Sequence, residues 1–137
     1  MATIILNRRP IRNDAERWHD FSLSASDWFW ETDAQQRFCY FSDNFEEVYG
    51  LPPEQLLGRS RKELLEATDL TPPHIIQAHL AQLETHLPFR DFEYQVRGND
   101  GALRWIAVSG TSYFDAQGGF AGYRGTGSII TERKDRQ

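Results

Sequence analysis

Three of the four histidines, His74, His79 and His86, fall within one helical stretch, "HIIQAHLAQLETHL". Helix geometry separates them. At about 100° per residue, His79 lies about 60° from the stripe begun by Ile76, at the edge of the apolar face. His86 lies further round and His74 points nearly opposite, so the three read as polar, mostly exposed positions. The single cysteine, Cys39, allows no internal disulfide and no Cys-based zinc site. It reads as a small buried or half-buried hydrophobe in a strand. The acidic pairs Glu31/Asp33 and Asp91/Glu93 are spaced as strand neighbours on one face, which suits a solvated sheet surface. "GYRGTG" contains Gly-x-Gly, but inside a strand-like run and not between strand and helix, where a phosphate would be held. No His-Glu-x-x-His, phosphate loop or Gly-x-Ser-x-Gly occurs. The residues thus point to no catalytic constellation and no metal site, and the chain reads as a non-enzyme.

The chain has 137 residues, one domain's worth, enough to bury roughly two-thirds of its unfolded surface. Its aromatic share of 13% suits a packed core and not a disordered segment. A net charge of −5 and the absence of a basic, aromatic-laced stripe argue against nucleic acid as a partner. No apolar run approaches the roughly 18 residues that span a bilayer, so no direct membrane contact is expected and the address reads as cytoplasmic.

The elements follow from pattern. Residues 1–12 form a flexible lead-in. Asn13, with Glu16 in the capping-box position, starts a helix over 13–25 that carries Ala15, Trp18, Phe21, Ser22 and Ala25 toward one side. "DWFWETD" and "RFCYFS" form a hairpin. Asp43 caps a short helix with Phe45, Val48 and Tyr49, stopped by Gly50. "PPEQLLG" makes a second turn, and Ser60 caps a third with Leu64 and Leu65 inward. After Thr71-Pro72-Pro73 comes the longest helix, with Ile76, Leu80, Leu83 and Leu87 on one stripe, ended by Pro88. Three strands close the chain. Phe92, Tyr94 and Val96 alternate in the first; the second puts Leu103, Trp105 and Ala107 on one face and Ile106, Val108 and Phe114 on the other; the third carries three glycines where a neighbour comes close. This order predicts an α+β fold: a five-stranded antiparallel sheet, a helical shell on one face and an N-terminal flanking helix.

From about Asp27 to Lys134 the chain resembles a PAS domain, the sensor module of bacterial signalling proteins. "WFWETDAQQRFCYFSDNFEEVYGLPPEQLLGRS" is similar to the family's opening hairpin and its N-x-x-F … G-x-x-x-E-x-L-x-G helical segment. "FEYQVRGNDGALRWIAVSGTSYFDAQGGFAGYRGTGSIITERK" is similar to its last three strands and closing G-x-x-x-D-I-T-E-R-K. One departure stands out: Ile129 replaces the family Asp, while Thr131, Glu132 and Arg133 remain. The resemblance implies a sensor domain over 26–131 and, over 132–137, the start of a connector helix to an effector such as a histidine kinase or a diguanylate cyclase. It also implies that the signal leaves through Ile129, Thr131, Glu132 and Arg133, altered by the missing Asp.

The apolar residues expected between shell and sheet are Phe41, Phe45, Val48, Leu56, Leu64, Ile76, Leu80, Leu83, Tyr94, Trp105 and Tyr123. Such side chains fill a core as readily as they line a cavity, so both readings stand. A ligand here is expected to be small and largely apolar or aromatic, because the helical stripes offer no buried Arg or Lys for a multiply charged one. The functional expectation is a sensor that shifts a downstream effector between conformations. The alternatives are a ligand-free homodimerisation module built on the 13–25 helix and, by resemblance to oxygen-sensing PAS domains, a haem sensor using His74 or His79. The reactive cysteine of the light-sensing flavin subclass is missing from the helical segment, whereas a non-covalently held flavin stays open. A homodimer is the expected assembly.

Overall fold

Aromatic and β-branched runs between turn residues become strands in the computed structural model, which describes residues 26–136. β1 (Asp27–Thr32) and β2 (Phe38–Phe41) form one hairpin; β3 (Phe89–Arg97), β4 (Leu103–Phe114) and β5 (Phe120–Ile129) follow as a meander. All pair antiparallel in the order β2-β1-β5-β4-β3, so the last strand returns to the centre beside the first. Between β2 and β3 run α1 (Phe45–Tyr49), a 3-10 turn (Pro53–Gln55), α2 (Arg61–Glu66) and α3 (Pro73–Glu84); α4 (Thr131–Asp135) follows β5. The architecture is the expected α+β one.

Trp28 and Trp30, each 1% exposed, occupy the sheet face beneath these helices. They pair in register with Gly127 and Gly125 of β5. A Cβ on Gly127 would overlap the Trp28 indole, and one on Gly110 would come 2.9 Å from both Trp30 and Phe89. The glycines therefore make room for indoles lying on the sheet. Phe45 and Tyr49 of α1 meet Trp28 edge-on at 5.9 and 5.3 Å, the arrangement that ring quadrupoles favour.

Several details depart from the sequence reading. Asn44, not Asp43, holds the cap position of α1, and it makes no side-chain bond to the helix. Its amide instead donates to the Asp27 carbonyl at 2.6 Å, and its carbonyl accepts from Ser42 Oγ at 2.7 Å. Ser42 Oγ accepts from the Phe29 N–H at 2.9 Å, so these polar groups tie the start of α1 to β1. α3 stops at Glu84, short of Pro88, because Thr85 turns its hydroxyl onto the Gln82 carbonyl and His86 adopts φ 58. The His86 ring stacks 3.6 Å from Phe120 and Leu87 leaves the stripe, 61% exposed. In β3, Asp91 at φ 53 sits in a register shift that turns both Phe89 and Phe92 inward. A second shift carries Phe114 off the face of Ile106, and it is 51% exposed. Cys39 is exposed, and Glu31 is buried at 2%, 3.9 Å from the Arg124 guanidinium. The 1–12 lead-in and the 13–25 helix lie outside the described residues.

The stacking of Trp28 on Gly127 gives a direct test. Gly127→Ala is expected to cost about 1–3 kcal/mol of stability, the usual range for overpacking a filled core. Urea denaturation measures it; a change within about 0.5 kcal/mol, typical of a surface site, would show that the indole does not depend on the missing Cβ.

Candidate functional site

The segment "GRSRKELLE" builds the site. Its first residues are zipped to β2: the Gly58 N–H donates to the Phe38 carbonyl at 2.8 Å, and the Phe38 N–H to the Arg59 carbonyl at 2.9 Å. Ser60 bridges to Arg37 and then caps α2. Its Oγ accepts from the Glu63 N–H at 3.1 Å, and Glu63 Oε1 accepts from the Ser60 N–H at 2.8 Å. This reciprocal pair is a capping box, and the bond from the Ser60 backbone holds the Glu63 carboxyl below its usual range. With the start of α2 pinned, the helical period turns Arg61 and Leu65 inward, with Leu64 half-buried, and leaves Lys62, Glu63 and Glu66 in solvent.

Arg61 is 5% exposed. Its guanidinium carbon lies 4.8 Å from the Trp30 ring centre, 5.0 Å from Phe38 and 5.9 Å from Tyr94. Among the described residues no carboxylate forms an ion pair with it and no acceptor hydrogen-bonds it. Desolvated cation–π contacts are worth about 2 kcal/mol; burying an ion costs several kcal/mol. The rings therefore offset only part of the cost. The expectation that no buried Arg or Lys would face the interior is corrected here. The signal was present in sequence: Arg61 precedes Leu64 and Leu65 by three and four residues, the spacing of one helix face.

A cavity of about 170 Å³ opens beside Arg61, between α1, α2, the 3-10 turn and β3. Its size compares with a space that holds one benzene ring. Tyr49, Leu56, Leu64, Tyr94 and Val96 contribute to its wall together with Arg59, Arg61 and Arg97, and no acidic residue lines it. The Tyr49 and Tyr94 hydroxyls lie 3.1 Å apart. Burial, then the neighbouring Tyr94, push the Tyr49 phenol well above its ordinary range, so it stays protonated. On another side of Arg61, Leu80 and Leu83 line a second hollow of about 340 Å³ with Gln35 and Lys62.

The pocket residues expected from sequence divide accordingly. Leu56, Leu64 and Tyr94 line the first cavity, and Leu80 and Leu83 the second. Phe41 and Tyr123 border small voids beside Arg61. Phe45, Val48 and Ile76 pack into the aromatic core. Trp105 does not belong to this group: it lies on the opposite sheet face, because residues of its parity in β4 point away from Ile106 and Val108.

The histidines also separate. His74 is exposed, whereas His79 is 2% exposed, stacked 3.7 Å from Phe92. Its Nδ1 lies 3.3 Å from Gln82 Oε1, and its Nε2 has no partner among the described residues. Burial, reinforced by the Arg61 charge, lowers its pKa from 6.5 to about 3, so the ring is neutral. Neither His74 nor His79 lines either cavity, so among the described residues no histidine faces a space as a haem ligand, and the residues here do not suit haem. The tricyclic ring of a flavin exceeds the 170 Å³ cavity.

The exit from the sheet lies on the far face. The Trp105 N–H donates to Thr131 Oγ1 at 2.8 Å, and the Ile130 N–H donates to the Trp105 carbonyl at 2.8 Å. Lys134 sits 4.5 Å over the Trp105 ring and 3.0 Å from Glu93, which also pairs with Arg133 at 3.3 Å. Ile129, where the PAS pattern carries Asp, packs against the core as an apolar residue. Among the described residues Glu132 pairs along its own helix, with Arg136 at 3.1 Å.

Fold and site together define a class: an α+β domain whose helical connection cups a cavity against one face of an antiparallel sheet. The family model of the PAS fold matches residues 38–127, and the chain belongs to that family. PAS domains are generally sensory and not catalytic. Similar solved structures include an RNA-binding Light-Oxygen-Voltage receptor, at 23% identity and TM-score 0.68. The match covers 81% of this chain and 31% of the receptor, so the chain spans under a third of that protein. The N-terminal domain of a diguanylate cyclase with PAS/PAC sensor from Marinobacter aquaeolei matches at 20% identity and TM-score 0.63, over 79% of this chain and 98% of that one. A sensory box histidine kinase/response regulator from Burkholderia thailandensis matches at 25% identity and TM-score 0.57, over 82% of each chain. No curated protein matches the chain. Among the described residues no helix is long and apolar enough to cross a membrane.

The buried histidine sets a pH dependence. Its folded pKa, about 3, lies below the ordinary 6.5, so between these values the unfolded chain binds a proton that the folded chain does not. Stability therefore falls as pH drops through this window, by about 2 kcal/mol from pH 7 to pH 5 for this one group. Urea titrations of the wild type and of His79→Leu at both pH values check it; an equal loss in the variant would assign the acid sensitivity elsewhere.

Proposed function

We propose that this is the sensory domain of a signalling protein and that it regulates an attached effector through α4. One observation carries the reading. Adjacent residues of β3 face the two functional regions: Tyr94 reaches the cavity and the Arg61 guanidinium, while Glu93 holds Arg133 and Lys134 of α4. A ligand or partner that favours one position of β3 on the inner face thereby biases α4 on the outer face, a population shift between existing conformations. Thr131 and Trp105 supply a second attachment at the same place. Ile129 forgoes the polar contact of the family Asp, and Glu93 of β3, on the far side of β4, holds α4 in its stead. The diguanylate cyclase and histidine kinase sensors that share this fold support an effector of one of those kinds.

The coupling is tested within the domain. Tyr94→Phe removes the hydroxyl contact with Tyr49 and leaves α4 untouched. Amide chemical shifts of residues 132–136 are expected to move in this variant, and the movement is expected to disappear when Glu93→Gln is added. Unmoved α4 amides beside a clearly altered core would sink the coupling and leave homodimerisation as the better account.

A further inference from the structure

We infer that the cavity beside Arg61 binds a small monocarboxylate with an apolar or aromatic body, about the size of benzoate. The inference deepens the sensory reading and concerns the same site. Its first support is the unpaired charge. Arg61, 5% exposed as a residue, meets no carboxylate and no hydrogen-bond acceptor among the described residues, so its N–H donors are unused there. Contact with the rings of Trp30, Phe38 and Tyr94 uses none of them. Buried charges are ordinarily paired, and the planar fork of Arg matches a carboxylate with two parallel bonds.

The second support is the sign of the lining. Arg59, Arg61 and Arg97 all border the cavity and no Asp or Glu does, in a chain whose net charge is −5. Arg59 and Arg97 are exposed and stand at the mouth; Arg97 is held there by its bond to the Gly101 carbonyl at 3.0 Å. Such an arrangement draws an anion in. The third support is the rest of the wall. Leu56, Leu64 and Val96 give the ligand's body an apolar surface, and the Tyr49–Tyr94 pair, in which one hydroxyl donates to the other, leaves one O–H donor beside the cavity. One buried cation suits one negative charge. A phosphate dianion would leave half its charge unmatched and the apolar wall unused.

The test uses the full chain, with sodium benzoate, the neutral isostere benzamide and inorganic phosphate as probes in titration calorimetry. Benzoate is expected to bind saturably, benzamide at least about tenfold more weakly, the effect of one charge-assisted contact, and phosphate not at all. Arg61→Met is expected to lose benzoate binding while its melting temperature in the absence of benzoate stays level or rises, because an unpaired buried charge has been replaced by a packed apolar chain. Leu64→Phe, which keeps Arg61 and narrows the cavity, is expected to lose benzoate as well and stands in if the first variant does not fold. Equal binding of benzoate and benzamide, retained binding by Arg61→Met, preference for phosphate, or no benzoate binding would each overturn the inference. The sensory reading is scored separately: benzoate that binds without moving the amides of residues 132–136 leaves the carboxylate site standing and removes the signalling role.

Discussion

Trp28 and Trp30 lie flat on a sheet from which the opposing side chains have been removed, and the spacing of everything above the sheet follows from that contact. Each indole takes on the order of 200 Å² out of water, more than any other side chain here can. That is possible only because β5 carries Gly127 and Gly125 in register with them and β4 carries Gly110 alongside. α1 closes over Trp28 with Phe45 and Tyr49, and Phe38 and Phe89 close around Trp30. Rings of this size meet edge-on and offset, which fills the interior unevenly. The gaps between them lie around Arg61.

Arg61 is the other half of that design. Its position is imposed twice, by the zipping of residues 58–60 to β2 and by the capping box that starts α2 one residue earlier. Neither device refers to its charge. The helix starts where Ser60 and Glu63 dictate, and the residue that follows the cap is turned into the aromatic interior. A leucine in its place would pack there at no electrostatic cost. The same charge helps keep His79 neutral and acts on the buried Tyr49 phenol, so the electrostatics of the interior depend on one side chain.

β3 joins the contacts on the two sheet faces, because a strand has no thickness to separate them. Tyr94 and Glu93 are consecutive, and any displacement of one backbone unit moves both. On the outer face, Trp105 offers its backbone to Ile130 and Thr131 and its ring to Lys134. The exit helix is thus attached to both strands of one hairpin, although Ile129 has no polar group to give. α4, described over Thr131–Asp135, is held to the sheet by these contacts.

Much of this was legible in residues 26–136. Period-two alternation marked the strands, Gly50 marked the end of α1 with its positive φ, and Ser60 marked the start of α2. These signals are local: each depends on the conformational preference of a few neighbouring residues. What failed was whatever depended on two distant segments meeting. The register shift at Asp91 turned Phe89 inward, His86 left the helix to stack on Phe120, and Trp105 faced the exit and not the cavity. Sequence alone therefore determined the element order, the α+β class and the aromatic character of the core. Only the tertiary structure decided that a charged residue lies among those aromatics. Burial of a charge is settled by the surroundings that the whole chain assembles: spacing puts Arg61 on the face of Leu64 and Leu65, and only those surroundings close over it.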